Sequence, residues 1–172
     1  MKPRFILARL GLDTVSTVMA SILLGYDVVL SGSFLMSLLL IPIWFLGAVI
    51  KAAIQRPGWM LSMKRIVLPL LIGGIVCGNA WLQNSIAQSR FEVVIQACKQ
   101  YQKDKGRYPG KLEDLVPTYL YNVPRAKYCV MFGEFHYFAR ARDSDAILMW
   151  TRVPPLGRPY YDFKDGRYGY MD

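Results

Sequence analysis

Two apolar runs constrain this chain more than any other feature. Ser33 to Ile50 is 18 residues without a charge, and Ile66 to Leu82 is 17. At about 1.5 Å of rise per residue, helices of that length approach the ~30 Å hydrocarbon thickness of a bilayer. The 53% of apolar residues and the mean hydropathy of +0.23 point the same way, to a small membrane bundle with a small domain attached. A third segment, Phe5 to Gly25, is long enough to cross but contains Arg9 and Asp13. These stand at i and i+4 on one helical face, so Arg9 can snorkel to the headgroups with Asp13 partly neutralised beside it. The alternatives for this segment are a signal peptide cut after Ala20 and a surface-lying helix. Asp13 interrupts the apolar core of the first, and the second would put the short 26–32 connector on the wrong side. The reading is three spans.

The net charge of +9 invites a nucleic-acid partner until the charges are sorted. Residues 1–82 hold seven basic side chains (Lys2, Arg4, Arg9, Lys51, Arg56, Lys64, Arg65) against Asp13 and Asp27, a net of +5. Residues 83–172 hold 14 basic and 10 acidic residues, a net of +4. The first seven fall in two clusters, at the N-terminus and over 51–65, each beside an apolar run, as cytoplasmic loops do under the positive-inside rule. The basic excess of this half reads as topology: N-terminus and 51–65 inside, 26–32 and 83–172 outside. No nucleic acid is expected, and a DNA contact through Arg140, Arg142 and Arg152 ranks last. Aromatics at 13% and charged residues at 19% exclude disorder, and three cysteines exclude a disulfide-built miniprotein.

Within the third span, Gly74 and Gly78 form a small-xxx-small pair with Gly73 adjacent, and Asn79 follows as a polar group. The pair serves packing within the chain's own bundle or docking of a partner's membrane helix. Pro69 is read in the span's first turn. Beyond Leu82, Ala87, Phe91, Val94, Cys98 and Tyr101 recur at spacings of 4, 3, 4 and 3, one apolar stripe on an amphipathic helix. Lys103 and Lys105, then Gly106 and Pro109, end it. The expected helix is Ile66 to Lys105, 40 residues. A connector over 107–127 carries one helical turn, Lys111 to Val116, and four strands follow. The first alternates Phe135, Tyr137, Ala139 and Ala141 inward, and an Asp143-Ser144-Asp145 turn leads to Ile147–Val153. Tyr160–Lys164 and Arg167–Met171 flank Asp165-Gly166, a two-residue hairpin signal that sets Phe163 against Tyr168 and Tyr161 against Tyr170. These four aromatic residues form a candidate interaction face. The expected fold is an α-helical membrane protein of three transmembrane helices with an α+β domain, a long helix on a four-stranded antiparallel sheet. Its boundaries are 1–65 for two spans and the basic loop, and 66–172 for the third span and the outer domain.

That plan, with the segment Tyr101-Gln-Lys-Asp-Lys-Gly106-Arg107-Tyr108-Pro109 followed by Leu112, Leu115, Val116 and Pro117, resembles type IV pilins and the major pseudopilins of type II secretion. The resemblance spans roughly 66–172, and its informative core is the helix end and following loop. The chain departs from the pattern before Ile66, where Met63-Lys-Arg-Ile-Val lacks the prepilin leader and the glutamate of a Phe-Thr-Leu-Ile-Glu start. The resemblance therefore implies a pilin-like domain that stays tethered in a bacterial inner membrane, with residues 83–172 periplasmic. An oxidising periplasm would favour a Cys98–Cys129 bridge, unless Cys98 belongs to the buried stripe. Secretion pseudopilins carry calcium near the C-terminus, but here Asp165 is explained by its turn, and Asp162 and Asp172 are far apart. No cofactor and no metal is expected, His136 is read as a structural or surface histidine, and no acid, base and nucleophile constellation is apparent. The expected function is non-enzymatic docking to components of a pilus, secretion or other envelope machine. The alternative is a sensing module signalling through the continuous helix 66–105.

Overall fold

A computed structural model describes residues 14–55, 59–139, 145–154 and 156–172. Arg9, Asp13, Arg140, Ala141, Arg142 and the Asp143-Ser144 part of the expected turn lie outside the described residues. The chain divides into two compact units, Met1–Ala80 and Trp81–Asp172.

In the first unit, helix α1 (Thr14–Leu23) continues into a wider π-helical stretch, Leu24–Ser31, that ends at Gly32 with φ +59°. Helix α2 follows (Leu35–Gln55), and helix α3 (Trp59–Lys105) begins in this unit. Leu23, Trp44, Ile72 and Val76 form its buried centre, with Met19, Ile41 and Leu68 packed around them. Few other apolar side chains find cover: Leu38, Leu39, Ile43 and Leu70 are each more than half exposed. Among the described residues two helices are long and apolar enough to cross a membrane, Leu35–Ile54 and Met63–Lys105. Val18–Ser31, which overlaps the end of the first segment, is a shorter apolar helix, so among the described residues two such helices stand where the sequence suggests three.

The expected 26–32 connector is helical, and the true link is only Gly32 to Phe34. Asp27 explains the difference. Its carboxylate is fully buried and accepts from the backbone N–H groups of Met36 (3.3 Å) and Ser37 (2.7 Å), in the first turn of α2. Its carbonyl accepts from the N–H of Ser33 at 3.0 Å, while the Ser31 and Ser33 hydroxyls lie 2.8 Å apart. An acid inside one helix thus supplies the cap that the next helix lacks. At the other end of the bundle, α3 starts seven residues before the expected Ile66, so Pro69 lies well inside the helix and not in its first turn.

The second unit is α+β. A four-stranded antiparallel sheet in the order β1 (His136–Ala139), β2 (Ala146–Met149), β3 (Arg158–Asp162), β4 (Arg167–Met171) accompanies the C-terminal part of α3. The predicted stripe is buried: Ala87, Phe91, Val94 and Cys98 join Leu148, Trp150, Tyr161 and Phe163 in one core, with Tyr101 at its edge. Burial of each large side chain there stabilises by about 1.5–3 kcal/mol relative to exposure.

The last hairpin differs from the expected register. Tyr161 faces Tyr168, Pro159 faces Tyr170 and Asp162 faces Arg167, a shift of two residues. Phe163 has no cross-strand partner on β4. Its N–H bonds to the carbonyl of Ala146 at 3.0 Å, and its ring lies in the core 4.9 Å from those of Tyr108 and Tyr161. Asp162 accepts from the N–H of Lys164 at 2.9 Å, and Gly166 takes φ +65°, so four residues make the turn where two were expected.

Candidate functional site

The glycines of α3 divide by face. A Cβ on Gly73 would lie 3.0 Å from the Cδ1 of Ile41 on α2, whereas a Cβ on Gly74 or Gly78 would meet nothing within 4 Å. Packing inside the bundle therefore falls to Gly73. Gly74 and Gly78 present a backbone-smooth strip to open space among the described residues. Beside it, Asn79 is half-buried and its Nδ2 has no hydrogen-bond partner.

The loop that carries the pilin resemblance closes the second unit's core. Gly106, at φ +73°, caps α3 by donating its N–H to the carbonyl of Gln102 at 2.8 Å. Tyr108 packs against Phe163 with the rings tilted by 52°, and Pro109 is buried with its carbonyl accepting from the Tyr137 hydroxyl at 2.8 Å. Asp114 accepts from the N–H groups of Gly110 and Lys111, both at 3.1 Å, and folds Leu112–Leu115 into a 3₁₀ turn whose two leucines enter the core. Arg107 alone of the six singled-out residues is an exposed side chain with no packing role visible. Burial raises the pKa of the Tyr137 hydroxyl far above its ordinary value, as expected of an enclosed phenol.

The proposed aromatic face is split. Tyr161 and Phe163 are core, at 3% and 5% exposure, and only Tyr168 (57%) and Tyr170 (52%) reach the surface. Even these are engaged: the Tyr168 hydroxyl donates to Glu92 on α3 at 2.8 Å, and burial followed by that bond pushes its pKa up to about 12. Tyr170 lies over Gly157, and Tyr160 lies over Gly169, where any Cβ would strike its ring. Cys98 and Cys129 are both buried free thiols and are not joined. Cys98 belongs to the buried stripe, and desolvation pushes its thiol up to about 12. Asp162 and Asp165 serve the turn, and among the described residues no group of three His, Cys, Asp or Glu side chains could hold a metal ion.

Sequence reasoning missed a cationic corner of the second unit. Lys127 is fully buried, its ammonium 2.8 Å from the Arg152 carbonyl and 5.3 Å from the centre of the Trp150 ring, over which it lies. Desolvation pushes its pKa down to about 8, with nearby Arg152 acting in the same direction. Arg90 donates to the Arg125 carbonyl at 2.7 Å and to the Tyr128 hydroxyl, and Gln83 accepts from the Tyr128 N–H at 2.8 Å. The signal in the sequence was the polar run after Leu82, in which Gln83, Asn84, Ser85, Gln88 and Ser89 break the apolar pattern beside Trp81.

No family model, curated protein or solved structure matches the chain. The long helix and four-stranded antiparallel sheet occur in many folds besides pilins, so the fold alone does not choose a family.

Proposed function

We propose that this chain is a membrane-anchored docking protein of the bacterial envelope. Three spans leave its N-terminus in the cytoplasm and hold residues 83–172, as a pilin-like domain, in the periplasm. It acts without catalysis, as an accessory or assembly component of a pilus, secretion or related machine. The observation that carries the reading is the open strip of Gly74 and Gly78 on a helix whose outer half also builds the core of the second unit. Glycines at this spacing let another helix approach closely in lipid, where association depends on van der Waals contact and interhelical hydrogen bonds, and Asn79 supplies a donor for the latter.

The test is purification of the full chain in mild detergent with mass spectrometry of what remains bound. Wild type should retain stoichiometric envelope proteins, and Gly74→Leu with Gly78→Leu should lose them while melting within about 0.5 kcal/mol of wild type. Gly73→Leu should instead destabilise the chain itself by about 1–3 kcal/mol, because Ile41 occupies that space. A wild-type chain that emerges alone would sink the docking reading.

A further inference from the structure

The second unit carries a groove of about 400 Å³ that the docking reading does not use. One wall is the turn of α3 from Trp81 through Asn84, Ser85 and Gln88, and the other is Trp150 and Arg152 after β2. Its chemistry is incomplete in a specific way. Trp150 is 1% exposed, and its indole N–H has no hydrogen-bond partner; the buried Oδ1 of Asn84 has none either. Buried polar atoms of this kind are satisfied in most proteins, so a donor and an acceptor left open on the lining of one groove point to a missing polar occupant. Basic groups predominate around it, although Glu92 accepts from the Gln88 amide at 3.1 Å. Arg152 lines the groove, Lys127 bonds to the Arg152 carbonyl, and Arg90 bonds to the carbonyl of Arg125. An anion beside Arg152 would also offset its repulsion with Lys127, a lesser contribution than burial to the lowered Lys127 pKa. Trp81 is 73% exposed and stands at the end of the apolar run, the position at which tryptophan marks a membrane–water boundary.

We propose that this groove binds the phosphate-bearing headgroup of an anionic phospholipid. Arg152 takes the phosphate as a charge-assisted donor, the Trp150 N–H and the amide and hydroxyl groups of Asn84 and Ser85 hold the polar remainder, and Trp81 lies along the upper acyl region. The site rests on the reading of Ile66–Leu82 as a membrane span. It fixes the outer unit's first helical turns to the lipid surface.

The full chain in detergent is titrated with phosphatidylglycerol, phosphatidylcholine or inorganic phosphate and read by native mass spectrometry. A retained phosphatidylglycerol adduct is expected, weakened roughly tenfold by Arg152→Gln and by Trp81→Ala and largely restored by Arg152→Lys. Arg107→Gln, beyond the far end of α3, should leave it unchanged. Near-UV circular dichroism identical to wild type keeps a folding defect from imitating the loss. Equal retention by wild type and Arg152→Gln would overturn the site, as would equal retention of phosphatidylcholine. Displacement of the adduct by inorganic phosphate at comparable concentration would assign the groove to a soluble phosphate ligand and also overturn the lipid. Alkaline extraction of the chain from vesicles separates the two claims. Release would mean the span reading has failed, whereas retention without an Arg152-dependent adduct would mean the headgroup site alone has failed.

Discussion

Lys127 is a fully buried cation in the second unit. An ammonium with no exposure would be costly without the Arg152 carbonyl and the Trp150 face, and even with them its pKa is about 8 against an ordinary 10.5. Below pH 8 both folded and unfolded chains hold the proton, and the cost of burial is present in full. Between 8 and 10.5 the unfolded chain holds more protons than the folded one, so this residue makes stability rise with pH, by up to about 1.4 kcal/mol per unit. Cys98 works in the opposite sense. Its folded value of about 12 lies above the unfolded 9.0, so its contribution is lost as pH rises past 9. The difference between wild type and Lys127→Met isolates the lysine. Thermal melts of the full chain should show the methionine variant gaining over wild type near neutral pH, with the gap closing towards pH 10.5. A gap that does not change with pH would mean that Lys127 is not buried as a cation.

At the scale of elements, contacts between near neighbours in sequence were legible and those between distant ones were not. The stripe from Ala87 to Tyr101 could be read because helical period alone places it, and Gly106 and Pro109 because a cap and a stop are local devices. The hairpin register could not. Asp165-Gly166 is a sound turn signal, but Phe163 has a better place beside Tyr108 in the core than opposite Tyr168 on the sheet. The same choice divides the four aromatic residues, since pairing tells which residues share a strand and not which face meets α3. Asp27 is the clearest case of a distant partner, because its carboxylate serves amides nine and ten residues on. Asp27→Ala should cost about 1–2 kcal/mol in a detergent melt through loss of the α2 cap, with Asp27→Asn between it and wild type, because the amide keeps one acceptor oxygen. An alanine variant as stable as wild type would show that the carboxylate is there for another purpose.

For the whole molecule, one choice of side governs which partners are reachable. On the proposed topology the two basic clusters flanking the apolar runs put the N-terminus and residues 51–65 inside, and the near balance of 14 basic and 10 acidic residues after Leu82 puts no comparable barrier against export of the rest. The native thiols leave a clean background for a test, since Cys98 and Cys129 are buried and Cys77 belongs to the apolar run. Tyr121, at 93% exposure, is the most open of the large hydrophobic side chains described in the second unit, and Lys51 lies in the basic segment between the runs. In intact cells with a permeable outer membrane, Tyr121→Cys should react with a membrane-impermeant maleimide at once. Lys51→Cys should react only after the inner membrane is opened. The reverse pattern would turn the second unit towards the cytoplasm and remove the pilus and secretion machines as partners. The glycine strip would survive that reversal, because helix packing in lipid has no preferred side. The groove would survive it also, since cytoplasmic leaflets are themselves rich in anionic headgroups. Side and contact surface are therefore independent parts of the proposal, and labelling decides the first without touching the second.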